Sequence, residues 1–127
     1  MNTCIFCNFQ NDGGGSILLE NEHCICIELK DAILIGSCII IPKNHKETFF
    51  DLNEKEWAAT KSLADEAKIY LDAKYKPDGY NVGWNIGKIG GQEIFHAHMH
   101  IIPRYEDEPL AGKGIRYWIK QENNKRT

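Results

Sequence analysis

Gly90-Gly91-Gln92-Glu93-Ile94-Phe95-His96-Ala97-His98-Met99-His100-Ile101-Ile102-Pro103 is the stretch that decides how this chain is read. Three histidines recur at every second position of an apolar run that follows a glycine pair. Side chains alternate between the faces of a β-strand, and neighbours on one face stand about 7 Å apart. The spacing therefore predicts a strand from His96 to Pro103, with three imidazoles lining one surface and Ala97, Met99 and Ile101 facing the other. Imidazole is neutral or nearly so at physiological pH, so three can share a site without the desolvation cost of permanent charges. Each can attack, donate or accept a proton.

Working outward, Tyr80 to Asn85 reads as the preceding strand, joined to the histidine strand through the loop Ile86-Gly87-Lys88-Ile89-Gly90-Gly91. From Asn53 to about Lys74, Trp57, Leu63, Ala64, Ala67, Tyr70 and Leu71 recur at intervals of three and four, the mark of an amphipathic helix. Asn53 suits its N-cap, with Glu56 three residues on, and Pro77-Asp78-Gly79 supplies the stop. Ser16–Leu19 and Cys24–Ile27 form a hairpin pattern, and Ser37–Pro42 is a continuous apolar run that suits a strand buried on both faces. Strands on either side of one long helix predict an α+β fold with a mainly antiparallel sheet of about five strands.

The chain has 127 residues, 43% of them hydrophobic, which fits a single domain over residues 1–127 with a polar tail at 121–127. No apolar run approaches the roughly 18 residues of a membrane span, and MNTCIFCNFQ lacks the pattern of a signal peptide. Five cysteines, an odd number, cannot all pair internally, so a reducing compartment is expected and the localisation reads as cytoplasmic. A net charge of −3 with no basic stripe argues against a nucleic-acid polymer as partner, so any nucleotide bound here would be a small molecule. No Gly-Lys-Ser/Thr follows the glycines, so the loop is not a P-loop.

The ordered string GGQxxxHxHxHxx, with Asn85 seven residues ahead of Gln92, resembles the histidine triad (HIT) family of nucleotide hydrolases and transferases. The resemblance extends to Cys4-Ile5-Phe6-Cys7, to Ile39-Ile40-Ile41-Pro42-Lys43-Asn44-His45 and to Ile101-Ile102-Pro103-Arg104, and so covers nearly the whole chain. It implies a HIT-like fold, usually a homodimer that joins two half-sheets. It implies that His98 attacks the α-phosphorus and carries a nucleotidyl group as a phosphoramidate, with His100 donating to the phosphate and its neighbours, His96 among them, serving proton transfer. Asn85 and Gln92 would add neutral donors, and Gly90 and Gly91 would admit backbone N–H groups to the phosphate. Ile5, Phe6, Phe9 and Ile27 would form an apolar slot for the base, although read from the residues alone plain core fits them better. Glu28 is the nearest acidic candidate for the ribose hydroxyls.

Two positions depart from the family pattern. Gly36-Ser37 stands where members commonly carry a glycine and a supporting histidine, so orientation of the nucleophile falls to another group. Glu93 stands where Ser or Thr is frequent, and an ionised carboxylate there repels phosphate oxygens unless it points away or acts as the acid.

Cys4 and Cys7 alone are half a tetrahedral site. Some HIT members, and the related galactose phosphate uridylyltransferases, complete it with two histidines, which here are His45 and His96; the resemblance thus implies a structural zinc on Cys4, Cys7, His45 and His96. The alternative is that both thiols pack as small apolar groups. Cys24, Cys26 and Cys38 alternate with isoleucines and read as core or sheet-face residues. Trp84, Trp118 and Gly112–Tyr117 pack across a dimer or close over the leaving group. Three functions follow: hydrolysis at the α-phosphorus of a nucleoside phosphoramidate or dinucleoside polyphosphate, nucleotidyl transfer to a small acceptor, and nucleotide binding without catalysis.

Overall fold

The computed structural model describes residues 4–9 and 16–127; residues 1–3 and 10–15, which the expected single domain includes, lie outside the described residues. Five strands, β1 (Ile17–Glu20), β2 (Cys24–Glu28), β3 (Cys38–Pro42), β4 (Gly79–Trp84) and β5 (Met99–Arg104), form one sheet in the order β1-β2-β3-β5-β4. Every neighbouring pair is antiparallel, and a single long helix, α1 (Glu54–Tyr75), crosses one face. This is the α+β arrangement expected.

Alternation along the strands sorts the apolar residues into two cores. Cys24, Cys26, Cys38, Ile40, Met99 and Ile101 face α1 and pack on Leu63, Ala67 and Leu71. Ile25, Ile27, Ile39 and Ile41 face the other way, under Phe6, Phe9, Ile17 and Leu29. All five residues of β3 are buried because it carries a core on each side. Each fully buried Ile or Leu contributes roughly 1.5–3 kcal/mol, so the central strands anchor whatever chemistry is mounted on their ends.

The helix begins where its cap dictates. Asn53 Oδ1 accepts from the Glu56 amide at 2.8 Å and Glu56 Oε1 accepts from the Asn53 amide at 2.9 Å, a complete capping box. Lys76 ends it in a left-handed conformation, φ 50°, immediately before Pro77. The buried stripe is Glu56, Thr60, Leu63, Ala67 and Leu71. Trp57, read from the sequence as part of that stripe, is 46% exposed. A 3.6-residue period counted back from Leu63 falls on Thr60 and Glu56, and Trp57 instead packs edge-on against Phe49, 5.5 Å between ring centroids.

The histidine strand differs from expectation. Hydrogen-bonded pairing of β5 with β3 begins at Met99 and β5 runs to Arg104, so His96 and His98 precede the strand. The reason lies in the segment after β3: Ala97 N–H donates to the Lys46 carbonyl at 2.6 Å and the His96 ring reaches the Pro42 carbonyl, which draws residues 96–98 out of the ladder. The segment after β5 lies along β4. Arg104 bonds Asn81, Glu108 and the carbonyls of Leu110 and Lys113, bringing Ile115 against Gly83 on the face that carries His100.

Candidate active site

Leaving the ladder at Met99 separates the three histidines into two settings. His96 is fully buried. Its Nε2 lies 2.8 Å from the Pro42 carbonyl oxygen, which can only accept, so Nε2 carries the proton and Nδ1 keeps its lone pair. Burial holds this ring's pKa below the ordinary histidine value, against the pull of that hydrogen bond. Nδ1 faces the sulfurs of Cys4 and Cys7, 3.4 Å from each, and His45 Nδ1 lies 3.1 Å from Cys7 Sγ. The four ligand atoms of Cys4, Cys7, His45 and His96 all fall within 4.8 Å of one another. Zn–S bonds near 2.3 Å and Zn–N bonds near 2.0 Å in a tetrahedron impose ligand separations of about 3.3–3.8 Å. The cluster therefore fits a metal of that kind and leaves no fifth position for substrate.

His98 and His100 stand on the other side, at a cavity of about 970 Å³. Their ring centroids are 5.0 Å apart. His98 Nδ1 lies 2.8 Å from the carbonyl oxygen of His96, so Nδ1 donates and the lone pair sits on Nε2. A backbone carbonyl thus orients the His98 ring, the task that the Gly36-Ser37 departure leaves to another group. Ser37 itself is buried, and its hydroxyl has no partner among the described residues. Burial, and then the neighbouring His98, lower the His100 pKa, keeping that ring neutral and able to donate one N–H.

The remaining predicted site residues divide. Ile5, Phe6, Phe9 and Ile27 line the cavity as an apolar wall, and the Phe6 ring stands edge-on to His98 at 5.1 Å. Asn85, Gly91 and Glu93 line it beside the histidines. Gly91 has φ 98°, and a Cβ on Gly90 would lie 2.3 Å from the Ile86 carbonyl oxygen, so the turn itself requires both glycines. Gln92 is not among the lining residues. Its buried amide donates to the carbonyls of Glu47 and Ile94 at 2.7 and 3.1 Å and accepts from the Gly87 N–H at 2.9 Å, which fastens the loop instead of facing a phosphate. Glu28 touches the cavity, but its carboxylate turns to the helix, accepting from Tyr75 at 2.5 Å and Tyr70 at 3.2 Å. Strand parity explains it, since Glu28 shares the α1 face with Cys24 and Cys26. The same parity places Leu29 beside Ile27 on the cavity side, with Lys30 at the rim, two lining residues that alternation along β2 could have found.

Residues 12–107 match the family model described as the HIT domain. The chain belongs to the HIT family. Among curated HIT relatives, an uncharacterized HIT-like protein of Mycoplasma genitalium is 36% identical over 97% of this chain and 85% of its own length. The adenosine 5'-monophosphoramidase HNT1 of Saccharomyces cerevisiae is 30% identical over 95% of this chain and 73% of that protein. Among solved HIT structures, a HIT family protein from Bacillus anthracis superposes with a TM-score of 0.75 at 32% identity, covering 84% of this chain and 76% of that one. A zinc-bound histidine triad family protein from Mycobacterium smegmatis gives a TM-score of 0.73 at 25% identity over 87% of this chain and 81% of that one. No helix among the described residues is long and apolar enough to cross a membrane.

Proposed function

We propose that this HIT protein hydrolyses a nucleotide at its α-phosphorus, with a nucleoside phosphoramidate or a dinucleoside polyphosphate as substrate and His98 as the nucleophile. The observation that carries the reading is the hydrogen bond from His98 Nδ1 to the His96 carbonyl, which leaves the Nε2 lone pair free at a cavity with an apolar wall. In the first step Nε2 forms a bond to phosphorus while the bond to the leaving group breaks, and the leaving group takes a proton from water at the open mouth. In the second, a water oxygen bonds to phosphorus, the P–N bond to His98 breaks, and the water proton passes to solvent. The net reaction consumes one water and yields the nucleoside monophosphate. His100, kept neutral, donates to a phosphate oxygen where charge develops. The N–H groups of Gly90 and Gly91, expected from the sequence to face the phosphate, donate instead to the Gly87 and Lys88 carbonyls at 3.1 Å, so the turn shapes the cavity without lending it donors, while Phe6, Phe9 and Ile27 hold the base.

Cys4, Cys7, His45 and His96 would hold a zinc ion, supported by the ligand geometry and by the zinc-bound relative. It would supply a rigid cross-link; the residues that act on substrate are His98 and His100. The chain is read as one domain, and two copies are expected to meet along β4. That strand ends the sheet, and its Val82 and the nearby Ile115 are 48% and 60% exposed.

The test is AMP release from adenosine phosphoramidate and from diadenosine tetraphosphate by the wild type and by His98→Ala in parallel. Release that the variant loses by roughly a thousandfold or more, with AMP still bound, supports the reading. A fully active variant, or no release from either compound, overturns it.

A further inference from the structure

The cavity has a charge asymmetry that the hydrolase reading does not use. Of the residues that line it, Lys30 follows β2, and Glu93 belongs to the segment that runs from Gly91 through Ile94 to His98, all four of which line the cavity. Glu93 is exposed, and its carboxylate enters no hydrogen bond or ion pair among the described residues. Its neighbour in sequence, Gln92, is buried and triply bonded, so the backbone at this point is fixed while the Glu93 side chain is left to face whatever enters. The other acidic side chain of the lining, Glu28, has its carboxylate engaged by two tyrosines on the helix side. Glu93 is therefore the free anion on the segment that carries His98.

We propose that Glu93 selects the leaving group by charge, making this cavity a site for phosphoramidates of a nucleoside monophosphate whose departing amine carries a second, cationic ammonium group, at the expense of polyphosphate leaving groups. The inference rests on the hydrolase reading above. An anionic side chain near the departing group repels the oxygens of a polyphosphate and attracts an alkylammonium, and because Glu93 is exposed both effects weaken as salt is raised. The chemistry is unchanged. The P–N bond of the substrate breaks as the bond to His98 Nε2 forms, and the departing nitrogen takes a proton from water and leaves as the amine.

Two substrates of matched bond type and size test it: the AMP phosphoramidates of ethylenediamine, cationic at its far end, and of glycine, anionic there. The wild type is expected to show at least tenfold higher kcat/KM for the cationic compound. In Glu93→Gln the ratio falls to about twofold or less, and in the wild type it shrinks as salt is raised. Because the readout is a ratio within one protein, a general loss of activity in the variant does not disturb it, and Glu93→Ser supplies a second, smaller side chain for the same comparison. A wild-type ratio near one, or a ratio that both substitutions leave intact, overturns the proposal while the hydrolase reading stands. Absence of release from every phosphoramidate overturns both.

Discussion

His96 Nε2 donates to the Pro42 carbonyl oxygen across 2.8 Å, fixing which nitrogen of that ring faces Cys4 and Cys7. A metal-ligating histidine held this way gains basicity and loses rotational freedom. Removing zinc with a chelator, or substituting Cys4→Ser, is expected to lower the thermal midpoint by roughly 10 °C, equivalent to a few kcal/mol. Elemental analysis should find about one zinc per chain in the wild type and well under one in the variant. A metal-free wild type of equal stability would count against the site.

The buried amide of Gln92 closes the loop that carries Glu93. Gln92→Ala strands the Gly87 N–H and two carbonyls, an expected loss of about 2–3 kcal/mol in urea unfolding. Unchanged stability with weakened AMP binding would return the amide to the nucleotide.

Glu28 predicts the acid behaviour of the fold. Partial burial raises its pKa, but the hydroxyl of Tyr75, the charge of Lys74 and the hydroxyl of Tyr70 outweigh it, and the net shift is downward. A carboxyl depressed in the folded state adds stability that is present above its unfolded value, about 4.3. That stability is lost as pH falls through the lower folded value. Glu28→Gln should therefore be less stable than the wild type at neutral pH, with the gap narrowing on acidification. Urea titrations of both proteins across that range test the sign; a gap that widens in acid contradicts it.

Association along β4 predicts a concentration-dependent dimer in sedimentation. Val82→Glu places a charge on the exposed edge and is expected to shift the population to monomer without loss of helix signal. A wild type that stays monomeric at high concentration would remove this interface.

The elements were legible in the sequence wherever local pattern and tertiary packing agree. The capping box of α1 and the doubly buried β3 are cases in which residues a few positions apart carry the whole signal. The site was legible in composition but not in aim. Glu28 was the nearest acid in sequence, and one residue of parity sends its carboxylate to the helix and gives the cavity to Leu29. The start of β5 was hidden for a different reason: the bonds that pull residues 96–98 from the ladder come from Pro42 and Lys46, more than fifty residues away. The orienting group for His98 is a peptide carbonyl, which every residue has and no sequence pattern marks.

The turn from Cys4 to Phe9 offers its cysteines to one ligand and Ile5, Phe6 and Phe9 to another. Any ligand that favours this placement of the six residues over another favours the second ligand by an equal factor, since linkage is reciprocal. Cation supply would then tune nucleotide affinity with no contact between the two, and bound nucleotide would in turn slow the escape of the ion.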